Sequence, residues 1–106
     1  QSMQSAGEVG SMRRAAKVDD NQASIVRTLR AIGATVTPTH AIGHGFPDIC
    51  VGWHGRNYLL EIKDGAKVPS ARKLTADELE WHAQWKGQVA IVNNADEAID
   101  VLRGKR

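Results

Sequence analysis

Residues 48–63 leave this chain little choice of fold. Asp48-Ile49-Cys50-Val51-Gly52-Trp53 reads as one strand and Arg56-Asn57-Tyr58-Leu59-Leu60-Glu61-Ile62-Lys63 as the next. His54-Gly55 is the turn between them, and Gly55 is free to adopt the positive φ that a tight hairpin turn needs. With two residues in the turn, Trp53 faces Arg56, and counting outward sets Asp48 opposite Glu61. Opposed residues point to one face with Cβ atoms about 4.5–5.5 Å apart. Lys63, two residues past Glu61, shares that face. The alternation leaves Ile49, Val51, Trp53, Tyr58, Leu60 and Ile62 on an apolar face that must be buried. Asp48, Cys50, Gly52, Asn57, Leu59, Glu61 and Lys63 make the other face.

Two carboxylates directly opposed destabilise a hairpin unless something neutralises them. A divalent cation does so, and hard oxygen ligands suit Mg²⁺ or Mn²⁺. Pro47-Asp48 followed by Glu61-Ile62-Lys63 thus reads as a site for metal-dependent phosphodiester cleavage: two carboxylates and one ammonium within reach of a single phosphate. The plainer reading is that Glu-x-Lys is common in strands and Lys63 merely offsets Glu61. The register across a short turn, with Asp64-Gly65 following, favours the first.

Composition narrows the alternatives. At 106 residues the chain makes one domain with a single core. Its 42% hydrophobic and 25% charged residues are globular values. No apolar run approaches a membrane span, and no signal peptide is visible. The lone cysteine, Cys50, excludes an internal disulfide and a thiolate zinc cluster. A cytoplasmic setting, with no membrane partner, is the expectation. No Walker-type glycine loop or dinucleotide fingerprint is present, so no nucleotide cofactor is expected. The net charge of +2 is compatible with nucleic acid without demanding it. Basic residues cluster at Arg13, Arg14 and Lys17, at Lys67, Arg72 and Lys73, and at Arg103, Lys105 and Arg106. Such clusters are either solvated tails or phosphate contacts. Gln1-Ser2-Met3 resembles the remnant of a cleaved tag, and residues 4–12 read as disordered. The domain is therefore expected over residues 13–106.

Hydrophobic periodicity predicts a helix from Asp20 to Ile32, with Ile25, Val26, Leu29 and Ile32 as its apolar stripe, Asp19 as N-cap and Gly33 as terminator. Ala34–Thr39 reads as a strand and His40–Phe46 as a loop leading to Asp48. After the hairpin and a polar loop over Asp64–Lys73, a second helix starts at Thr75, with Glu78 completing a capping box, and stops at Gly87. Gln88–Asn93 is a short strand, and Ala95–Leu102 a last helix with Ala98, Ile99 and Leu102 inward. The order α-β-β-β-α-β-α makes an α/β fold: a small mixed sheet flanked by helices. None of His40, His44, His54 and His82 has zinc-ligand spacing. His44, beside Gly45, lies close enough to the site to contact DNA. Trp81 and Trp85, four apart, share a helix face and read as core or dimer interface.

These residues resemble the PD-(D/E)XK nuclease superfamily and, within it, the VRR-NUC branch. The pattern of that branch is Gly-x-Pro-Asp, then Glu-Val-Lys, then Leu-Ser/Thr-x-x-Gln-x-x-Trp. Here it reads Gly45-Phe46-Pro47-Asp48, Glu61-Ile62-Lys63, and Leu74-Thr75 with Trp81 in place. The likeness spans roughly Asp19 to Val92. It implies a restriction-endonuclease-like core and a catalytic set of Asp48, Glu61 and Lys63. Asp48, Glu61 and the Ile62 main-chain carbonyl would hold Mg²⁺ or Mn²⁺, and Lys63 would orient the nucleophile and stabilise charge on the phosphate. Two positions depart from the pattern. Gln22 stands where many members carry a first-helix glutamate; it either positions a water at the metal or serves the helix cap. Glu78 stands where glutamine is usual; it either contacts the site or serves only the cap. Lys67, Arg72, Lys73 and His44 are the candidate DNA contacts.

The small surface and the absence of a helix-turn-helix or zinc finger favour recognition of DNA backbone and shape over base sequence. The likeness to Holliday junction resolvases implies branched DNA and a homodimer, since symmetric cutting needs two sites. The alternatives are a DNA-binding module that has lost cleavage and a restriction-type enzyme acting on linear duplex.

Overall fold

A computed structural model describes residues 20–106. The expected tag remnant over residues 1–3, the expected disordered stretch over 4–12, the expected Asp19 cap and the Arg13, Arg14 and Lys17 cluster lie outside the described residues. The elements are α1 (Asp20–Ala31), β1 (Thr35–Pro38), a 3₁₀ turn (His40–Ile42), β2 (Ile49–Trp53), β3 (Arg56–Ile62), a second 3₁₀ turn (Pro69–Arg72), α2 (Ala76–Gln84), β4 (Ala90–Val92) and α3 (Ala95–Leu102). The sheet order is β1-β2-β3-β4. The first three strands are antiparallel and β4 joins β3 in parallel, so the fold is the mixed α/β architecture expected. None of the helices among the described residues is long and apolar enough to cross a membrane.

The hairpin follows its turn chemistry. His54 at φ 49° and Gly55 at φ 79° both take positive φ, as a type I′ turn requires. The register then runs from Trp53↔Arg56 to Ile49↔Leu60. Ile49, Val51 and Leu60 are fully buried, and Trp53 and Tyr58 pack at the margin of the core. Against this face lie Ile25, Val26 and Leu29 of α1, Val92 of β4, and Ala98, Val101 and Leu102 of α3. Ile32 is the exception in the predicted stripe. It falls beyond the helix end and is 36% exposed, because Gly33 at φ 102° turns the chain there.

The direct pairing expected between Asp48 and Glu61 is not part of the ladder, which ends at Ile49↔Leu60. The Asp48 N–H donates to the Leu60 carbonyl (3.1 Å), one residue off the hairpin count. The Asp48 carboxylate accepts instead from the Ile62 N–H at 2.7 Å. An acidic side chain has thus replaced a main-chain acceptor at the end of the strand, and this fixes its rotamer beside β3.

α2 buries none of its residues fully. Two local devices hold it. Thr75 and Glu78 form a complete capping box, with Thr75 Oγ1 accepting from the Glu78 N–H and Glu78 Oε1 from the Thr75 N–H. Trp81 and Trp85 stack with ring centroids 4.5 Å apart, and Phe46 meets Trp81 edge-on at 5.3 Å. The tryptophan pair therefore joins the helix to the loop before Asp48; Trp85 keeps 41% of its surface exposed.

Candidate active site

Asp48 is held by its neighbours on both sides. The Thr39 N–H donates to the Asp48 carbonyl (2.8 Å) and Thr39 Oγ1 to the Pro47 carbonyl (2.7 Å). Gly45 carries this loop past α2. Its φ is 83°, and a Cβ there would lie 2.3 Å from the Asp77 carbonyl oxygen. The positive φ favours glycine and the close approach admits nothing larger. Gly45→Ala should lower stability by about 2–4 kcal/mol, combining left-handed strain with overpacking. Urea denaturation checks this; a loss within experimental error would mean that the loop and α2 do not touch.

Glu61 is the most unusual residue in the molecule. It is 1% exposed, the only acidic side chain buried among the described residues. No hydrogen-bond partner reaches its Oε1, which is itself buried. The neighbouring groups include the carboxyls of Asp48 and Glu78. Burial, then the charge and hydrogen bonding of Asp48 and Glu78, push the Glu61 carboxyl up to about 9. In the metal-free protein Glu61 therefore holds its proton at neutral pH.

Lys63 faces this group. Its Nζ lies 2.7 Å from Glu78 Oε1 and 3.7 Å from Glu61 Oε2. With Glu61 protonated, the shorter contact is the true ion pair. Burial alone would lower the Lys63 ammonium, but the hydrogen bond and charge of Glu78 outweigh it, and Lys63 sits above its ordinary value. Burial likewise acts to raise Glu78, yet the Lys63 and Thr75 hydrogen bonds bring it below its ordinary value. Glu78, read from the sequence as either a contact to the candidate site or a cap, pairs with Lys63 and caps α2 at once.

The other candidates distribute unevenly. Gln22 is 6% exposed in α1, and its Nε2 lies 3.5 Å from His40 Nδ1. The Ile62 N–H points at Asp48, and in an extended strand the carbonyl of a residue lies on the same side as its N–H. His44 is exposed and lines a cavity of about 270 Å³ with Asp77, Glu80, Trp81 and Gln84, an acidic rather than a basic setting. Lys67 and Lys73 are exposed on the loop after β3. Arg72 is half-buried, with no hydrogen-bond partner on its Nε, and its charge acts on Glu97. Asn21, which sequence reasoning passed over, donates from Nδ2 to the Lys63 carbonyl (2.8 Å) and the Asn93 carbonyl (3.1 Å). It ties α1 to the ends of β3 and β4 and fixes the main chain beneath Lys63. Only a pairing across 42 residues reveals it, and no local pattern carries that.

The donor set fits a hard divalent cation of the Mg²⁺ kind. Among the described residues no three His, Cys, Asp or Glu side chains are grouped to hold an ion. Mg²⁺ seldom uses such cages: it takes one or two carboxylates and completes its shell with waters and substrate phosphate. Asp48 and Glu61 are the two carboxylates that could serve such an ion, and the buried Glu61 Oε1 has no hydrogen-bond partner that would compete for it. No family model matches the chain, and neither curated proteins nor solved structures give a match.

Proposed function

We propose that this protein is a Mg²⁺- or Mn²⁺-dependent DNA endonuclease of the PD-(D/E)XK type, acting inside the cell on branched DNA. The observation that carries the reading is the buried Glu61 oxygen, unpartnered and set beside Asp48. A proton answers that charge in the resting protein, and a cation answers it better. A buried carboxyl set beside a second carboxylate and a lysine often contributes less to stability than an apolar side chain of the same size.

Asp48 and Glu61 would hold the cation through carboxylate oxygens, and the Ile62 carbonyl lies on the Asp48 side of the strand. A cation bound there would supply Lewis acidity toward the phosphoryl oxygen and toward a water. Lys63, a point charge at 2.7 Å from Glu78, orients the attacking oxygen and stabilises the negative charge that develops on the phosphate. Lys67 and Lys73 offer phosphate contacts that do not depend on base sequence. One such site cuts one strand, so paired cuts in a four-way junction require two copies related by a two-fold axis.

Gel analysis with Mg²⁺ of a four-way junction, a flap, linear duplex and single-stranded DNA tests this reading. Paired symmetric nicks on the junction support it. Equal cutting of linear duplex would refute the preference for branched DNA, and binding without cutting of any substrate would leave a DNA-binding module.

A further inference from the structure

Glu61 and Lys63 raise a problem for a metal-loaded site. The Lys63 ammonium lies 3.7 Å from Glu61 Oε2, the carboxylate that would take the cation. A divalent cation on Glu61 repels the ammonium and competes for the same oxygen, so Lys63 would swing away unless something else holds it. Resting on the nuclease reading above, we infer that Glu78 is a positioning residue that anchors Lys63 while Asp48 and Glu61 are engaged.

The geometry suits that task. Glu78 Oε1 accepts Lys63 Nζ at 2.7 Å and, at the same time, the Thr75 N–H at 2.9 Å. The second bond belongs to the α2 capping box, so the anchor is fixed by the start of a helix and not by a loose side chain. Both partners are shielded from water, with 14% of the Lys63 side chain and 19% of the Glu78 side chain exposed, so the attraction is weakly screened. A glutamine at this position would offer an acceptor but no charge. The Glu78 carboxylate supplies the negative charge that would hold Lys63 against the repulsion of a cation on Glu61.

A double-mutant cycle in single-turnover cleavage with Mn²⁺ separates anchoring from capping. Glu78→Ala should lower the rate about 100-fold with DNA affinity almost unchanged, the scale of loss for a misplaced reacting group. The same change made in Lys63→Ala should cost nothing further. Glu78→Gln should recover part of the loss. Thr75→Ala removes the side-chain cap but leaves the Lys63–Glu78 pair, so it should lower the melting temperature and spare the rate. An equal loss from Glu78→Ala in both backgrounds, or a matching loss in Thr75→Ala, would overturn the inference. A second readout needs no activity: acetylation of Lys63, followed by mass spectrometry with Mn²⁺ present. Lys63 should be labelled at least about tenfold faster in Glu78→Ala than in the wild type, once the buried pair is opened to solvent. Equal protection would refute the anchor, whereas a wild-type protein that cuts no DNA would instead refute the nuclease reading.

Discussion

Glu61→Gln should make the metal-free protein more stable and remove its activity. At neutral and alkaline pH the wild-type site must either keep a proton on a carboxyl pushed up to about 9 or bear an unpaired buried charge. Glutamine has the same shape, carries no charge, and offers N–H donors to the Asp48 and Glu78 carboxylates beside it. The gain should be on the order of 1–3 kcal/mol above neutral pH, below what the full shift would imply, because the site relaxes around the charge. Near the ordinary glutamate value of 4.5 the gain should vanish, since wild-type Glu61 is then protonated too. Cleavage should fall about 1000-fold or more, the scale seen when a group acting only in the transition state is lost. Chemical denaturation at the two pH values, with single-turnover cleavage beside it, checks both halves. A variant that is less stable than the wild type at alkaline pH would show that Glu61 is satisfied in a way the fold does not reveal.

The second large effect is a falling melting temperature between neutral pH and about pH 9 in the absence of metal, reversed by Mn²⁺. A carboxyl whose folded value lies above its unfolded one binds its proton more tightly when folded. Glu61 therefore favours folding fully below 4.5 and loses that contribution as pH rises toward about 9. The other shifted groups act outside the upper part of this window. His82 is lowered from 6.5 by burial, so its penalty falls on the acid side. Glu78 and Glu97 lie below 4.5 and lose their contributions only as acid protonates them. Lys63 lies above 10.5. Among these shifted groups, Glu61 is the one whose contribution changes between neutrality and about pH 9. Mn²⁺ should raise the melting temperature more at the alkaline end, where no proton competes for the carboxylate, by the mass action of a ligand bound only to the folded state. Thermal melts across pH with and without Mn²⁺ provide the check; a metal-independent, pH-independent melt would contradict it.

Local chemistry made much of this legible in advance. The His54-Gly55 turn set the hairpin register, and the alternation from Ile49 to Ile62 sorted its faces. Thr75 and Glu78 announced a capping box, and the apolar spacing of Ala98, Ile99 and Leu102 gave the bounds Ala95–Leu102; the Asn94 cap that starts this helix was not read in advance. What escaped depended on contacts between distant segments. Counting along strands placed Asp48 opposite Glu61, but its side chain took over a main-chain hydrogen bond and left the ladder early. Glu78 offered two readings because helix capping and ion pairing use the same oxygen, and only the fold shows that both occur. Thr39 and Asn21 look like ordinary polar residues until β1 and α1 bring them to Pro47 and Lys63.

Asp48, Glu61 and Lys63 are proposed to cleave phosphodiesters with a divalent cation. Single-turnover cleavage of end-labelled four-way junction DNA by wild type and Lys63→Ala, each with Mn²⁺ and with chelator, tests it most directly. The expected result is cutting by wild type only when Mn²⁺ is present, and a rate at least about 1000-fold lower for a Lys63→Ala protein that melts as a folded domain. Cutting by Lys63→Ala at the wild-type rate, or no cutting by wild type with any divalent cation, would contradict it.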